Sequence, residues 1–226
     1  MIDDMVLTLA EQLPDAVLAL TGGGDLGTPE GFFQLETYSL MGPIAVIAVA
    51  VVMGARAVAG EEESGTMGLL LANPIRRSRI IWEKTISMII GLVVIGVAIF
   101  AGTMAGSLAG GLGLNVANVA AAATLMTLLG LVFGALTLAI SGLTGRPRIA
   151  IFGAAGAAFV FYVLNSFLPL SGSFAEFARV SPFYYYLSGN PLVDGLNLGH
   201  SAILAAVAAA LVFASAMAFN RRDVRK

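Results

Sequence analysis

The sequence lacks cysteine and is poor in charged residues. Without cysteine, the chain can form no disulfide, thiolate metal site or cysteine nucleophile. Charged residues are 12% of the 226 residues, against about 25% in a typical soluble protein. Metalloprotease H-E-x-x-H, nucleophile-elbow G-x-S-x-G and P-loop motifs are also missing. The sequence therefore predicts that this chain is not an enzyme, contains no metal site and binds no cofactor.

Hydrophobic residues dominate instead, at 58% with a mean hydropathy of +0.90. Runs of about 20 apolar residues are typical of transmembrane helices. Five such spans are predicted, over residues 37–58, 85–109, 118–140, 149–169 and 199–219. A helix satisfies its own backbone hydrogen bonds in lipid. We therefore predict an all-α, polytopic membrane helix bundle with one membrane domain over 37–226, preceded by a segment over 1–36.

Basic residues are concentrated on one side of the predicted spans. Eleven of the twelve Lys and Arg residues lie in the loop after the first span, the loop after the third span and the C-terminal tail, and only Arg179 lies on the other side. By the positive-inside rule, these two loops and the C-terminus are cytoplasmic. The 1–36 segment, with seven acidic and no basic residues, and the loop 170–198 are then extracytoplasmic.

This topology places the N-terminus outside without a signal peptide, since the first twenty residues contain acids where a basic region is required. Two explanations are open. The short acidic tail is exported directly, or a first transmembrane helix is encoded upstream of this sequence.

The interiors of the predicted spans contain few ionisable residues. Arg56, Glu83, Lys84 and His200 all lie near predicted membrane boundaries. Ion-coupled carriers usually keep ionisable groups within the bundle, where the coupling ion binds. A small secondary carrier is therefore disfavoured, and a pathway powered from elsewhere is favoured.

Small residues recur at four-residue spacing in the spans, as in Gly102/Gly106/Gly110 and Gly130/Gly134. Such faces allow close approach of helices. They serve either packing within one bundle or packing against a second copy.

The loop 59–80 is the most organised part of the chain. Its sequence runs through Glu61–Glu63, Ser64-Gly65-Thr66, an apolar run ending at Leu71, Asn73-Pro74, and then Arg76, Arg77 and Arg79. We predict a short amphipathic helix that is capped by Ser64 or Thr66, has acids near its positive N-terminal end, and ends at Asn73-Pro74. Its apolar stripe of Met67, Leu70 and Leu71 can dock on a cytoplasmic partner or lie flat on lipid.

Three segments resemble the ABC-2 type family of ABC transporter permeases. The first is Ala55–Arg77, similar to the family pattern A-G-E-E-E-x-G-T-L-x-L-L-L-x-x-P-x-x-R. The second is Ser181–Tyr186 followed by Asn190-Pro191-Leu192, and the third is Phe219–Val224, which is similar to F-x-R-R-D-L. Gly68 stands where the family usually has Glu, and five spans stand where it has six.

The resemblance implies a permease that dimerises and pairs with two ABC ATPase subunits, which bind ATP and Mg²⁺. It implies an exporter in the plasma membrane, with residues 61–73 as the coupling helix. The residues implied to contact the ATPase are Glu61, Glu62, Glu63, Gly65, Thr66, Leu70, Leu71, Pro74, Arg76 and Arg77.

Apolar residues of the first and fourth spans are predicted to line the pathway between two copies, for a hydrophobic or amphipathic cargo. The alternative from another class is a non-transporting membrane scaffold whose loop recruits a cytoplasmic partner.

Overall fold

The computed structural model of the chain describes residues 28–66, 77–171 and 175–221. Five of its helices are long and apolar enough to cross a membrane. They are α1 (Pro29–Glu63), α2 (Arg77–Gly110), α3 (Val116–Thr144), α4 (Pro147–Phe167) and α7 (Leu198–Arg221). Between α4 and α7 lie two 3₁₀ turns and the short helices α5 (Pro182–Leu187) and α6 (Pro191–Asp194). No strand occurs in these three ranges, and the predicted five-span helical bundle is confirmed.

The helices extend beyond the apolar runs that predicted them. α1 begins at Pro29 rather than at residue 37, because Pro29 occupies its first position and Thr28 caps it, with the Thr28 hydroxyl accepting from the Gly31 N–H at 3.1 Å. α2 begins at Arg77 rather than at residue 85. Hydropathy detects the part of a helix that lies in lipid, whereas backbone hydrogen bonding continues into the polar boundary. Residues 29–36, which precede the predicted first span, therefore belong to α1.

α3 is the central helix, and the other four spanning helices pack around it. Its start is capped by Asn115, whose side chain accepts from the N–H groups of Ala117 and Asn118. It ends at Gly145, which adopts a left-handed conformation with φ +62°. A left-handed residue commonly ends a helix, and glycine adopts this conformation with little steric strain because it has no Cβ.

Glycines allow α1 to lie directly against α3. A Cβ on Gly54 would lie 2.5 Å from the Gly134 carbonyl oxygen, and one on Gly130 would lie 2.5 Å from Val46 Cγ1. The small-residue spacing of α3 therefore serves packing within the bundle. Among the described residues, no atom lies within 4 Å of a Cβ built on Gly102 of α2. Gly102 therefore makes no such close helix contact there.

We expect Gly54→Ala to destabilise the bundle by about 1–3 kcal/mol, because the methyl group meets backbone that cannot move aside. Alanine otherwise favours a helix over glycine by about 1 kcal/mol. Gly102→Ala is the matched control, since open space surrounds that site. Thermal unfolding of both variants in the same detergent measures the difference. Equal melting temperatures for the two variants would contradict the close α1–α3 contact.

The N-terminal part of α1 is fixed to the segment between α4 and α7. Residues Gln34–Met41 are π-helical, and the fully buried Tyr186 of α5 donates its hydroxyl to the Tyr38 carbonyl oxygen at 2.5 Å. The Tyr38 hydroxyl shares a 3.1 Å hydrogen bond with Thr103 of α2. Burial, and secondarily the nearby Tyr38 phenol, raises the pKa of Tyr186 well above its ordinary value. Tyr186 thus remains a donor and connects the segment between α4 and α7 to α1 and, through Tyr38, to α2.

Candidate functional site

The acidic triad Glu61–Glu63 forms the last turn of α1. Ser64 follows as the C-terminal cap, and Gly65 adopts a left-handed conformation with φ +76°. The Gly65 N–H bonds to the Glu62 carbonyl oxygen at 3.2 Å, as in a glycine-terminated helix end. Gly65 is therefore the residue that allows the chain to turn away from α1.

This placement corrects one boundary: Glu61–Glu63, expected within the coupling helix 61–73, belong to α1. The rest of the predicted amphipathic helix, from residue 67 on, lies outside the described residues. The hydroxyls of Ser64 and Thr66 both donate to the Glu61 carbonyl oxygen, each at 3.2 Å. They satisfy a free carbonyl at the end of α1. The acids lie at the negative end of α1, where the helix dipole disfavours them, so a nearby cation is needed.

Lys84 of α2 supplies that cation. Its ammonium group donates to Glu61 Oε1, across 23 positions of the sequence. The side chains are 32% and 22% exposed for Lys84 and Glu61 respectively. The pair joins the last turn of α1 to α2, about two turns after α2 begins. The sequence analysis did not predict this partner, although a signal was present: Lys84 was expected near a membrane boundary and Glu61 in the loop on the same side.

The end of α1 is also held by α3. Residues Arg56–Gly60 are π-helical, which changes the backbone pairing of α1 at this level. The buried Ser141 hydroxyl accepts from the Ala59 N–H at 2.9 Å and donates to the Ala55 carbonyl oxygen at 3.4 Å. The acidic turn is thus fixed to the central helix as well as to α2.

Basic side chains lie beside the acids: Arg146 of the α3–α4 loop and Arg148 in the first turn of α4. A cleft of about 460 Å³ is lined by residues that include Arg56, Glu61, Glu63 and Arg148. A neighbouring cleft of about 570 Å³ is lined by residues that include Glu62, Glu63, Arg146 and Arg148. The two expected cytoplasmic loops therefore meet at one end of the bundle and form a polar surface with both signs of charge.

The remaining predicted site residues are only partly described. Arg77 is the first residue of α2, and its side chain lies outside the described residues. Leu70, Leu71, Pro74 and Arg76 also lie outside the described residues. Glu61–Glu63, Gly65 and Thr66 are brought together at the end of α1. Their contact with an ATPase stays a prediction, as does the docking of the apolar stripe.

An apolar groove lies between α1 and α4, within the predicted membrane depth. It has a volume of about 360 Å³. Its lining is hydrophobic apart from Ser39 and the Tyr162 hydroxyl, and it includes Pro43, Ile44, Ile47, Val51, Ala155 and Phe159. These are the two spans that sequence reasoning expected to line a pathway. Within the described ranges, no group of three His, Cys, Asp or Glu residues could hold a metal ion.

Comparison with known protein families identifies this architecture. A family model described as ABC-2 family transporter protein matches residues 4–224, nearly the whole chain. No curated protein and no solved structure gave a significant match. The matched residues include the five helices that are long and apolar enough to cross a membrane, and also the loop pattern around Glu61–Glu63. The chain belongs to the ABC-2 family of transporter proteins, as a multi-pass membrane permease whose family pairs in general with an ABC ATPase.

Proposed function

We propose that this chain is the membrane subunit of an ATP-driven exporter of hydrophobic or amphipathic cargo. It is coupled to a separate ATPase through residues 61–73. One observation supports the coupling: the last turn of α1, at Glu61, is paired with Lys84 of α2, so the two helices that the segment connects are held against each other near that segment. A segment attached in this way can act as a lever on two membrane helices at once.

The electrostatic surface around this point supports a protein partner. The acids of α1, together with Arg146 and Arg148, line two adjoining clefts. An interface with both signs of charge favours a partner of complementary pattern and fixes its orientation. In the proposed mechanism, Leu70 and Leu71 of the apolar stripe dock in a groove of the ATPase. Polar residues around that groove contact the two clefts.

Movement at this site can be transmitted to the membrane-spanning parts of α1 and α3, because the backbones of these two helices are in close contact. α1 lies against α3 at Gly54 and Gly134 without intervening side chains, and Ser141 binds the end of α1 directly. Closely packed helices move by rigid-body rotation or sliding rather than by local deformation. Closure of two ATPase subunits on ATP would therefore tilt α1 together with the central helix.

The groove between α1 and α4 is the proposed cargo path. Its hydrophobic lining offers an apolar ligand burial without ionic partners. A homodimer would bring a second copy against this open side and enclose the path. The same proposal includes a cytoplasmic C-terminus and an extracytoplasmic N-terminus, which charge placement supports. It also includes a plasma-membrane location, which the family resemblance supports, and binding of ATP and Mg²⁺ by the partner.

The test is reconstitution in nanodiscs of the chain with the ABC ATPase that co-purifies with it, followed by measurement of ATP hydrolysis. We expect amphipathic compounds to change hydrolysis by the complex and to leave hydrolysis by the isolated ATPase unchanged. Identical responses with and without this chain would contradict the proposal.

A further inference from the structure

The groove between α1 and α4 has a polar end and an apolar end. The start of α4 lies beside the acidic triad, and the segment that follows α4 contacts Tyr38, so α1 and α4 are antiparallel. Ser39 and Tyr162 therefore lie towards one end of the groove, whereas Val51 and Ala155 lie towards the other. Both hydroxyl groups of the described lining are thus at the same end.

A buried polar residue lies behind Ser39. Residues Gln34–Met41 are π-helical, and residues five apart lie one turn apart in such a helix, so Gln34 is beside Ser39. The Gln34 side-chain amide donates to the Ser39 hydroxyl at 3.5 Å. Gln34 is 1% exposed, yet its Oε1 has no hydrogen-bond partner in the described chain. Because buried polar atoms are usually paired, this end of the groove has hydrogen-bonding capacity that the described chain does not use.

We propose that this polar end binds the head of a neutral, single-chain amphipath of the alcohol class, with its tail along the apolar part of the groove. The Ser39 oxygen accepts from Gln34, so the Ser39 hydrogen can be donated to a ligand oxygen. Tyr162 offers a second hydroxyl, and its ring is held edge-to-face against Phe183, with centroids 5.4 Å apart. Gln34 is a positioning residue for Ser39.

The rest of the groove determines which ligands are excluded. None of the described lining residues is charged. A permanently charged head would lose hydration there without gaining an ionic partner. The volume of about 360 Å³ is near the lower end of the range for small-molecule sites, about 300–1,000 Å³, which suits one alkyl chain.

Binding is measured by photolabelling the complex with its ATPase in nanodiscs, without nucleotide. The probe is dodecanol with a diazirine in its tail, and the competitors are dodecanol, dodecane, dodecyl sulfate and dodecyltrimethylammonium at equal concentrations in the membrane. We expect labelling within residues 39–51 or 155–162, and competition by dodecanol at least about tenfold stronger than by either charged compound. Labelling confined to other helices, or equal competition by the charged compounds, would overturn the inference.

The role of the hydroxyl groups is tested by the alcohol preference, which is the ratio of competition by dodecanol to competition by dodecane. General damage to the groove weakens both competitors, whereas loss of a hydrogen bond weakens only dodecanol. We expect Ser39→Ala to lower this preference by about five- to tenfold, and Tyr162→Phe and Gln34→Leu to lower it as well. Ser87→Ala, at an exposed serine of α2, is the matched control and should behave as the wild type. An unchanged preference in both Ser39→Ala and Tyr162→Phe would contradict the assigned polar end.

This inference rests on the proposed function in treating the bound amphipath as cargo, and the two can fail separately. A complex that binds dodecanol as expected, but whose ATP hydrolysis responds to no amphipath, contradicts the proposed function and supports the binding site. A complex with amphipath-dependent hydrolysis that shows no alcohol preference overturns this inference alone.

Discussion

Replacing Leu70 and Leu71 by Asp is expected to abolish association with the ATPase. The two leucines form the apolar stripe predicted between α1 and α2, and anchors of this kind dominate binding energy at interfaces. Charges in an apolar groove lose hydration without gaining a partner. We expect affinity to fall by at least about 100-fold, corresponding to roughly 3 kcal/mol.

The matched control is Leu112→Asp, which places the same substitution in the α2–α3 loop at the opposite end of the bundle. Both variants are compared by pull-down of the ATPase and by size-exclusion profile. Retention of the ATPase by Leu70→Asp/Leu71→Asp would exclude this segment as the docking element.

Filling the α1–α4 groove is expected to stop cargo movement while leaving the complex intact. Ala155 lines the groove and is exposed, so Ala155→Trp would occupy much of the space without disturbing the core. We expect transport of an amphipathic fluorescent probe to fall by about tenfold or more, equivalent to at least about 1.4 kcal/mol in the barrier.

Val160→Trp serves as the control, since this residue of α4 is 52% exposed and does not line the groove. Transport is measured in proteoliposomes together with ATPase association. A normal rate in Ala155→Trp, with the mutant complex fully assembled, would place the cargo path elsewhere in the bundle.

The five spans could be predicted from sequence because each is a long apolar run, and such runs report directly on transfer into lipid. The ends of α1 could not be predicted from its apolar run. Pro29 and Glu63 lie outside its apolar stretch, and their helical state depends on caps and on tertiary partners. The acids were assigned to a following helix because an acid beside Ser and Thr is a common start signal. In the structure, Gly65 and the Lys84 ion pair favour the end of α1 instead.

The contacts within the candidate site could not be predicted from the sequence either. Arg146 and Arg148 were placed on the cytoplasmic side by counting charges, but their approach to Glu62 and Glu63 depends on how α3 positions α4 beside α1. The α1–α3 contact was foreseen only as a general use of Gly130 and Gly134. That Gly54 lies opposite Gly134 follows from the crossing of the helices, which spacing along one chain does not specify.

Intact-complex mass spectrometry shows whether this chain assembles with an ATPase, as transport by coupling requires. The complex is purified from native membranes in mild detergent, and we expect two copies of this chain with two copies of an ABC ATPase. The chain recovered alone or in a complex without an ATPase, under conditions in which other membrane complexes stay assembled, would contradict the account.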